Sequence, residues 1–285
     1  MNNALLIRNP RAARVRGSTP LAVETIELNE SFSVDTCAGR DLVIVEGGDG
    51  TLQRILTTLL AFGSSDALPP LAVLPAGTTN MNCAEFNRSR DYDNAVASLR
   101  QILAGGAFDI RHKSVVRVDE GARTLFGFCF CLGAVVDAVR QFASARTRRP
   151  LFDSLAIAGV FAKALLRTHT ALRIHLEAEA IDTFAMVATT LDRLLYGMTP
   201  FQPGRRATGL HTTWIEGNAP GLWRKLPSFF RGDPALFATD GFRSFDVERL
   251  QLRFDGPFVI DGEMFANPEG GVCVSMSPPV RFIVI

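Results

Sequence analysis

Three short apolar runs near the N-terminus end in the same way: ALLI runs into RNP, LVIV into EGGDG, and LAVL into PAGTTN. Nothing else in the chain restricts its fold as much. Runs that are apolar at consecutive positions suit strands of a sheet covered on both faces. Between the second and third runs, LQRILTTLLAF reads as a covering helix with Leu52, Ile55, Leu56, Leu59 and Leu60 on one side. Strand, helix and strand in that order make a βαβ unit with parallel strands. The EGGDG and PAGTTN loops then leave the sheet at the same carboxyl edge, where α/β proteins bind their ligands.

After about residue 110 the texture changes. SVVRV, TLFGFCFCL, LRIHLEA, FAMVATT, GLHTTWI, RLQLRF, PFVID and VCVSM are short, alternating or β-rich runs separated by turn residues. That pattern predicts a mostly antiparallel sheet or sandwich. The one interruption, residues 152–167 (FDSLAIAGVFAKALLR), has helical character. The expected organisation is an α/β domain over 1–112 and a β-rich domain over 113–285. With 285 residues and 47% hydrophobic content, the chain can bury a core in each.

Charge and cysteine usage narrow the functional classes. Lys+Arg is 30 against Asp+Glu 29, so no global field points to nucleic acid as a partner. The five cysteines contain no CxxC pair, and neither a disulfide framework nor a zinc site is expected. Cys129 and Cys131 alternate, which puts both on one face of a strand as small buried hydrophobes. The N-terminus lacks a basic segment, and no apolar window is long enough to span a bilayer, so the expected location is cytoplasmic.

The two loops carry the chemistry. Gly47, Gly48 and Gly50 let successive backbone N–H groups face one way and let a ligand approach without Cβ clashes. Thr51 stands where a helix N-cap belongs, so the segment offers amides and a helix dipole to an anion; taken alone, GGDG is equally a plain turn. Ala76-Gly77-Thr78-Thr79-Asn80 repeats the plan, with a helix expected from about Asn82, and the two loops together look like opposite walls of a nucleotide cleft. Asn9, Pro10 and Arg11 end the first strand and could close it. Neither the GxGxxG nor the GxxxxGK[ST] pattern is present. Far downstream, PFVIDGEMF holds Asp261-Gly262, a hairpin turn signal. It also sets Asp261 and Glu263 within one turn, where mutual repulsion could make one of them a proton acceptor.

GGDGT at 47–51, the Gly-Thr-x-Asn loop at 77–80, Asn-Pro at 9–10 and DGE at 261–263 together resemble the diacylglycerol kinase catalytic-domain family, which includes bacterial lipid kinases and sphingosine and ceramide kinases. FDIRHKSVV, FGFCFCLGAVVDAV and LPSFFRGDPA also fall at family-like places. The resemblance implies an α/β nucleotide domain, a β-sandwich domain, and transfer of the ATP γ-phosphoryl to a lipid hydroxyl between them. It implies that Gly47, Gly48, Asp49, Gly50 and Thr51 hold phosphates and Mg2+, with Asp49 as metal ligand. Thr78 and Asn80 would add nucleotide contacts, and Asp261 would be the general base with Glu263 assisting. The chain departs from the family at Met81, where Asp is usual, and in RAARVRG after Asn-Pro. There Arg11, Arg14 and Arg16 either contact phosphates or form a solvated loop. A soluble-substrate kinase of the NAD kinase type and a silent nucleotide- or lipid-binding regulator are the competing readings. Lipid chemistry also implies peripheral membrane contact. GLWRKLPSFFR (221–231) and residues 152–167 are candidates for it, with packing in the second domain as the alternative for each.

Overall fold

The computed structural model describes residues 3–15, 21–30, 32–62, 65–121, 123–148, 171–176, 179–194, 197–202 and 209–285, the side chains of 142–148 excepted. They form two compact units, Met1–Val115 with Pro278–Ile285, and Val116–Ser277. The expected cut after residue 112 thus falls after Val115, and the C-terminal segment returns to the first unit. The helix expected over 152–167, and Arg16, lie outside the described residues.

The first unit is a six-stranded sheet. In chain order its strands are β1 (Ala4–Arg8), β2 (Glu24–Glu27), β3 (Leu42–Gly47), β4 (Leu71–Pro75), β5 (Asp109–Lys113) and the C-terminal β17 (Val280–Val284), arranged β2-β1-β3-β4-β17-β5. β1, β3 and β4 are parallel neighbours, with Leu6 opposite Ile44 and Ile44 opposite Ala72. Every residue of these three strands is buried, as their consecutive apolar positions require. β17 is as apolar as they are, and it takes the slot beside β4, with Phe282 opposite Leu71. The edges are polar: β5 reads DIRHK and is largely exposed, which discourages pairing with another chain.

Helix α1 (Asp49–Phe62) joins β3 to β4 and buries Leu52, Ile55, Leu56 and Leu59, while Leu60 is only partly covered. The helix expected from Asn82 is a single turn, α2 (Cys83–Phe86). It is followed by α3 (Tyr92–Leu103), whose N-cap Asp91 accepts a hydrogen bond from Asn94 N at 3.0 Å. Ala95, Val96, Leu99 and Ile102 of α3 cover the Leu6, Ile44, Ala72 and Leu74 face of the sheet. α2 is stitched to the C-terminus: Phe86 stacks on Phe282 at 3.9 Å, and Ile285 N donates to Phe86 O.

The second unit is an antiparallel sheet of eleven strands. They are β6 (Val116–Glu120), β7 (Arg123–Gly127), β8 (Cys129–Gly133), β9 (Leu172–Leu176), β10 (Glu179–Thr189), β11 (Leu210–Glu216), β12 (Phe242–Val247), β13 (Arg249–Phe254), β14 (Phe258–Ile260), β15 (Glu263–Phe265) and β16 (Gly271–Met276). The long β10 is the branch point. Its first half pairs with β9 and its second half with β8, on either side of an irregularity between Thr183 and Ala185. Side chains from both arms, among them Val118, Phe130, Met186, Trp214, Leu252, Phe258 and Val274, meet in one core, so a single sheet behaves as a sandwich. β13 shows the code plainly: Arg249, Gln251 and Arg253 are exposed, and Leu250, Leu252 and Phe254 are buried.

Among the described residues, the helices α4 (Ala134–Arg148), directly after β8, and α5 (Leu222–Arg231) accompany this sheet. α5 packs Phe229 onto Phe184, Ile215 and Phe242, so that part of the 221–231 stretch belongs to the unit's own interior. Among the described residues no helix is long and apolar enough to cross a membrane.

Candidate functional site

At the carboxyl edge of the first unit the loops after β1, β3 and β4 are packed together. Gly48 and Gly77 explain how. A Cβ on Gly77 would lie 2.4 Å from Gly48 Cα, so the backbones of the two loops touch. They are therefore one joined structure, not the opposite walls of an open cleft. Only glycine permits this approach.

Hydrogen bonds complete the joint. Asp49 Oδ2 accepts from Thr79 Oγ1 at 2.8 Å and Met81 N at 3.0 Å, and Asp49 Oδ1 accepts from Asn82 N at 2.8 Å. Asn80, at a positive φ of 46°, closes its own loop: its Oδ1 accepts from Gly77 N, and its Nδ2 donates to Gly77 O and Pro75 O. Asn9 Nδ2 donates to Thr51 Oγ1 at 2.7 Å, and Arg14 N donates to Ala76 O. Asn9, Asp49, Thr51 and Asn80 are thus brought together, but their side chains are spent on building the loops. Thr51 is not the N-cap: α1 already begins at Asp49.

Backbone donors remain. Leu52 N is the first amide of α1 with an acceptor, Gly48 O, and the N–H groups of Asp49, Gly50 and Thr51 have none among the described residues. Gly48, Gly50 and Thr78 are partly exposed beside them, and Arg11 is exposed. A row of unpaired amides at the start of a helix of this length is an anion site in waiting.

Magnesium finds no comparable provision. Among the described residues no three His, Cys, Asp or Glu side chains gather, and both oxygens of the Asp49 carboxylate already accept hydrogen bonds. The implied metal ligand does not fit. Burial raises the Asp49 carboxyl above the ordinary aspartate range, against the pull of the Asn82, Met81 and Thr79 donors and of the Arg90 charge.

Sequence reasoning missed the support beneath these loops. Glu46, fully buried at the end of β3, pairs with Arg8 at the end of β1 at 3.0 Å and accepts a hydrogen bond from the Tyr92 hydroxyl of α3. Burial and Glu46 together raise the Tyr92 phenol well above its usual range. The available signal was a charged residue ending each apolar run, ALLI-Arg and LVIV-Glu.

In the second unit, β14 and β15 form the hairpin expected from Asp261-Gly262, with both residues at positive φ, 51° and 86°. Asp261 is turned inward. Its carboxylate accepts from Phe128 N and Cys129 N at 3.0–3.1 Å, and its own N–H donates to Cys129 O. Glu263 is exposed, so the two carboxylates sit in different surroundings, and what orders Asp261 is the β7–β8 backbone. Cys129 and Cys131 share one buried face with Sγ atoms 3.5 Å apart. Gly127 makes room for the arrangement, because a Cβ there would lie 2.7 Å from Asp261 Oδ2 and 2.3 Å from Ile260 Cγ2. Gly127→Ala is expected to swing Asp261 off Phe128 and destabilise the second unit by about 1–3 kcal/mol. Urea unfolding, with the Phe128 amide followed by NMR, measures both.

With this geometry in hand, comparison with known proteins is informative. Residues 21–107 match the diacylglycerol kinase catalytic domain. The match covers the GGDGT and Gly-Thr-x-Asn motifs and agrees with the resemblance those motifs carry. A Streptococcus pneumoniae protein named "putative lipid kinase" is 27% identical over 101 residues, which is 35% of this chain and 30% of that protein. The chain therefore aligns with less than a third of that relative's length. Of solved structures, a "putative diacylglycerol kinase" from Bacillus anthracis superposes with a TM-score of 0.66 at 16% identity, covering 100% of this chain and 97% of that one. An NAD kinase from Archaeoglobus fulgidus, solved with ATP, superposes with a TM-score of 0.51 at 16% identity, over 98% and 92% of the two chains. At such identities these likenesses establish the shared fold: a mixed, mainly parallel sheet with helices followed by a many-stranded antiparallel sheet, as in diacylglycerol kinases.

Proposed function

We propose that the protein is an ATP-dependent lipid kinase that transfers the γ-phosphoryl group to a lipid hydroxyl, of diacylglycerol, ceramide or a sphingoid base. The observation that carries this reading is the set of unpaired amides of Asp49, Gly50 and Thr51 at the start of α1, held beside the Gly48–Gly77 contact. They offer fixed partial positive charge to an oligophosphate, and Thr78 and Arg11 are exposed enough to add to it. Phosphoryl transfer asks a protein chiefly for alignment and charge stabilisation, which such a preorganised cradle supplies. The diacylglycerol kinase match and the lipid kinase relative favour a lipid acceptor over NAD. Asp261 is the proposed acceptor of the hydroxyl proton, held in one orientation by the Phe128 and Cys129 amides.

Contact with a bilayer is part of the proposal. α5 carries Trp223, 40% exposed, with Arg224, Lys225 and Arg231, and its sequence contains no acid. An exposed indole among cations suits an anionic lipid interface. The test is incubation with γ-labelled ATP and vesicles containing anionic phospholipid and each candidate acceptor, with NAD in a parallel reaction and sedimentation of the same vesicles. Label is expected in one lipid product, with protein in the pellet. Label in NAD alone would establish the competing soluble-substrate reading, which the NAD kinase likeness keeps in view. Label in neither would remove the enzyme.

A further inference from the structure

We infer that Asp49 is a positioning residue, a latch that holds the Thr78–Asn82 loop against the start of α1, and that it is not a metal ligand. The inference deepens the proposed function and rests on reading these loops as the phosphate site.

Asn80, at φ 46°, suits its place, because asparagine tolerates the left-handed region and its carboxamide closes the loop. The tension lies at Asn82. Asn82 is completely buried, and neither its Oδ1 nor its Nδ2 has a protein hydrogen-bond partner among the described residues. A carboxamide without partners gains by swinging out to water, so something must hold it in place. Asp49 supplies the grip, taking the backbone N–H of Asn82, the N–H of Met81 and the hydroxyl of Thr79. Three donors converge on one carboxylate across sequence gaps of 30, 32 and 33 residues, from the first residue of α1 to the loop after β4. A bridge of that kind sets where one loop stands relative to the other, and hence where Thr78 lies relative to the free amides of α1. These donors already fill three of the carboxylate's roughly four acceptor positions, and among the described residues no cluster of three His, Cys, Asp or Glu side chains gathers to hold a metal.

The two roles predict different behaviour in Asp49→Asn. Amide hydrogen exchange at Met81 and Asn82 is read in the nucleotide-free protein without magnesium. A latch predicts exchange about tenfold faster or more, the equivalent of one lost charge-assisted hydrogen bond. The dissociation constant for ATP is then read with and without magnesium, and a latch predicts weakening by the same factor in both. A metal ligand predicts wild-type exchange and a loss of affinity confined to the magnesium-containing samples, and that pair of results would overturn the inference. If Asp49→Asn does not fold, Thr79→Val removes one donor and is expected to raise exchange at Met81 and Asn82, with Thr79→Ser restoring protection. Unchanged exchange in Thr79→Val would equally count against the latch. Because the exchange measurement needs no nucleotide, failure of wild-type protein to bind ATP would end the phosphate reading while the latch is still decided by exchange.

Discussion

Gly77→Ala is expected to cut the proposed phosphoryl transfer about 100-fold while the protein stays folded. The new methyl group would lie 2.4 Å from Gly48 Cα and 2.8 Å from Asn80 Oδ1, well inside any permitted contact. Backbone cannot rotate away as a side-chain tip can, so the loops after β3 and β4 must separate. Separation of the order of an ångström dissolves the alignment on which the proposed transfer depends, and a misplacement of that size costs about 100-fold in rate. The strands beneath are buried along their whole length, so overpacking should cost only about 1–3 kcal/mol of stability. Steady-state assays with labelled ATP, alongside urea unfolding of the same preparation, check the two halves. A Gly77→Ala protein with wild-type turnover would mean that the Gly48–Gly77 contact is not part of the working site.

The largest loss of stability is expected from Arg8→Met. Glu46 is 0% exposed, and its charge is compensated by Arg8 at 3.0 Å, itself 8% exposed, with the Tyr92 hydroxyl as a further donor. Removing the cation strands a buried carboxylate, which costs about 3–5 kcal/mol, whereas replacing both partners by apolar residues of similar volume is close to neutral. Arg8→Met alone should therefore unfold at far lower urea concentration, and Arg8→Met with Glu46→Leu should recover most of the difference. Tyr92→Phe should cost less, because it leaves the ion pair intact. Equal losses in the single and double variants would show that the pair is not what holds the strand ends together.

The α/β character of the first unit was readable because its strands are apolar at every position and its helix repeats at a helical period, signals that need no knowledge of the rest of the chain. β17 fell within the stretch expected to be β-rich but was not singled out as a strand, and VRFIV does not say which sheet it joins. β2 was missed because an edge strand carries polar residues and lacks the apolar run that marks its neighbours, and β5, equally polar, was signalled only by the family resemblance of FDIRHKSVV. In the site, the residue types at 47–51 and 77–80 were recognisable from local chemistry. Their roles were not: Asn80 closes its own loop through Gly77, and the donors that Asp49 accepts from lie in a different loop, the one after β4.

Local order alone thus dictated parallel buried strands, an alternating second unit, and glycine-rich turns at one sheet edge, because periodicity and turn chemistry act over a few neighbouring residues. The tertiary structure decided the contact of Gly48 with Gly77, the pairing of Arg8 with Glu46, and the inward turn of Asp261 onto Phe128. Each joins residues at least 29 positions apart, and a contact at that range exists only once the intervening chain has folded.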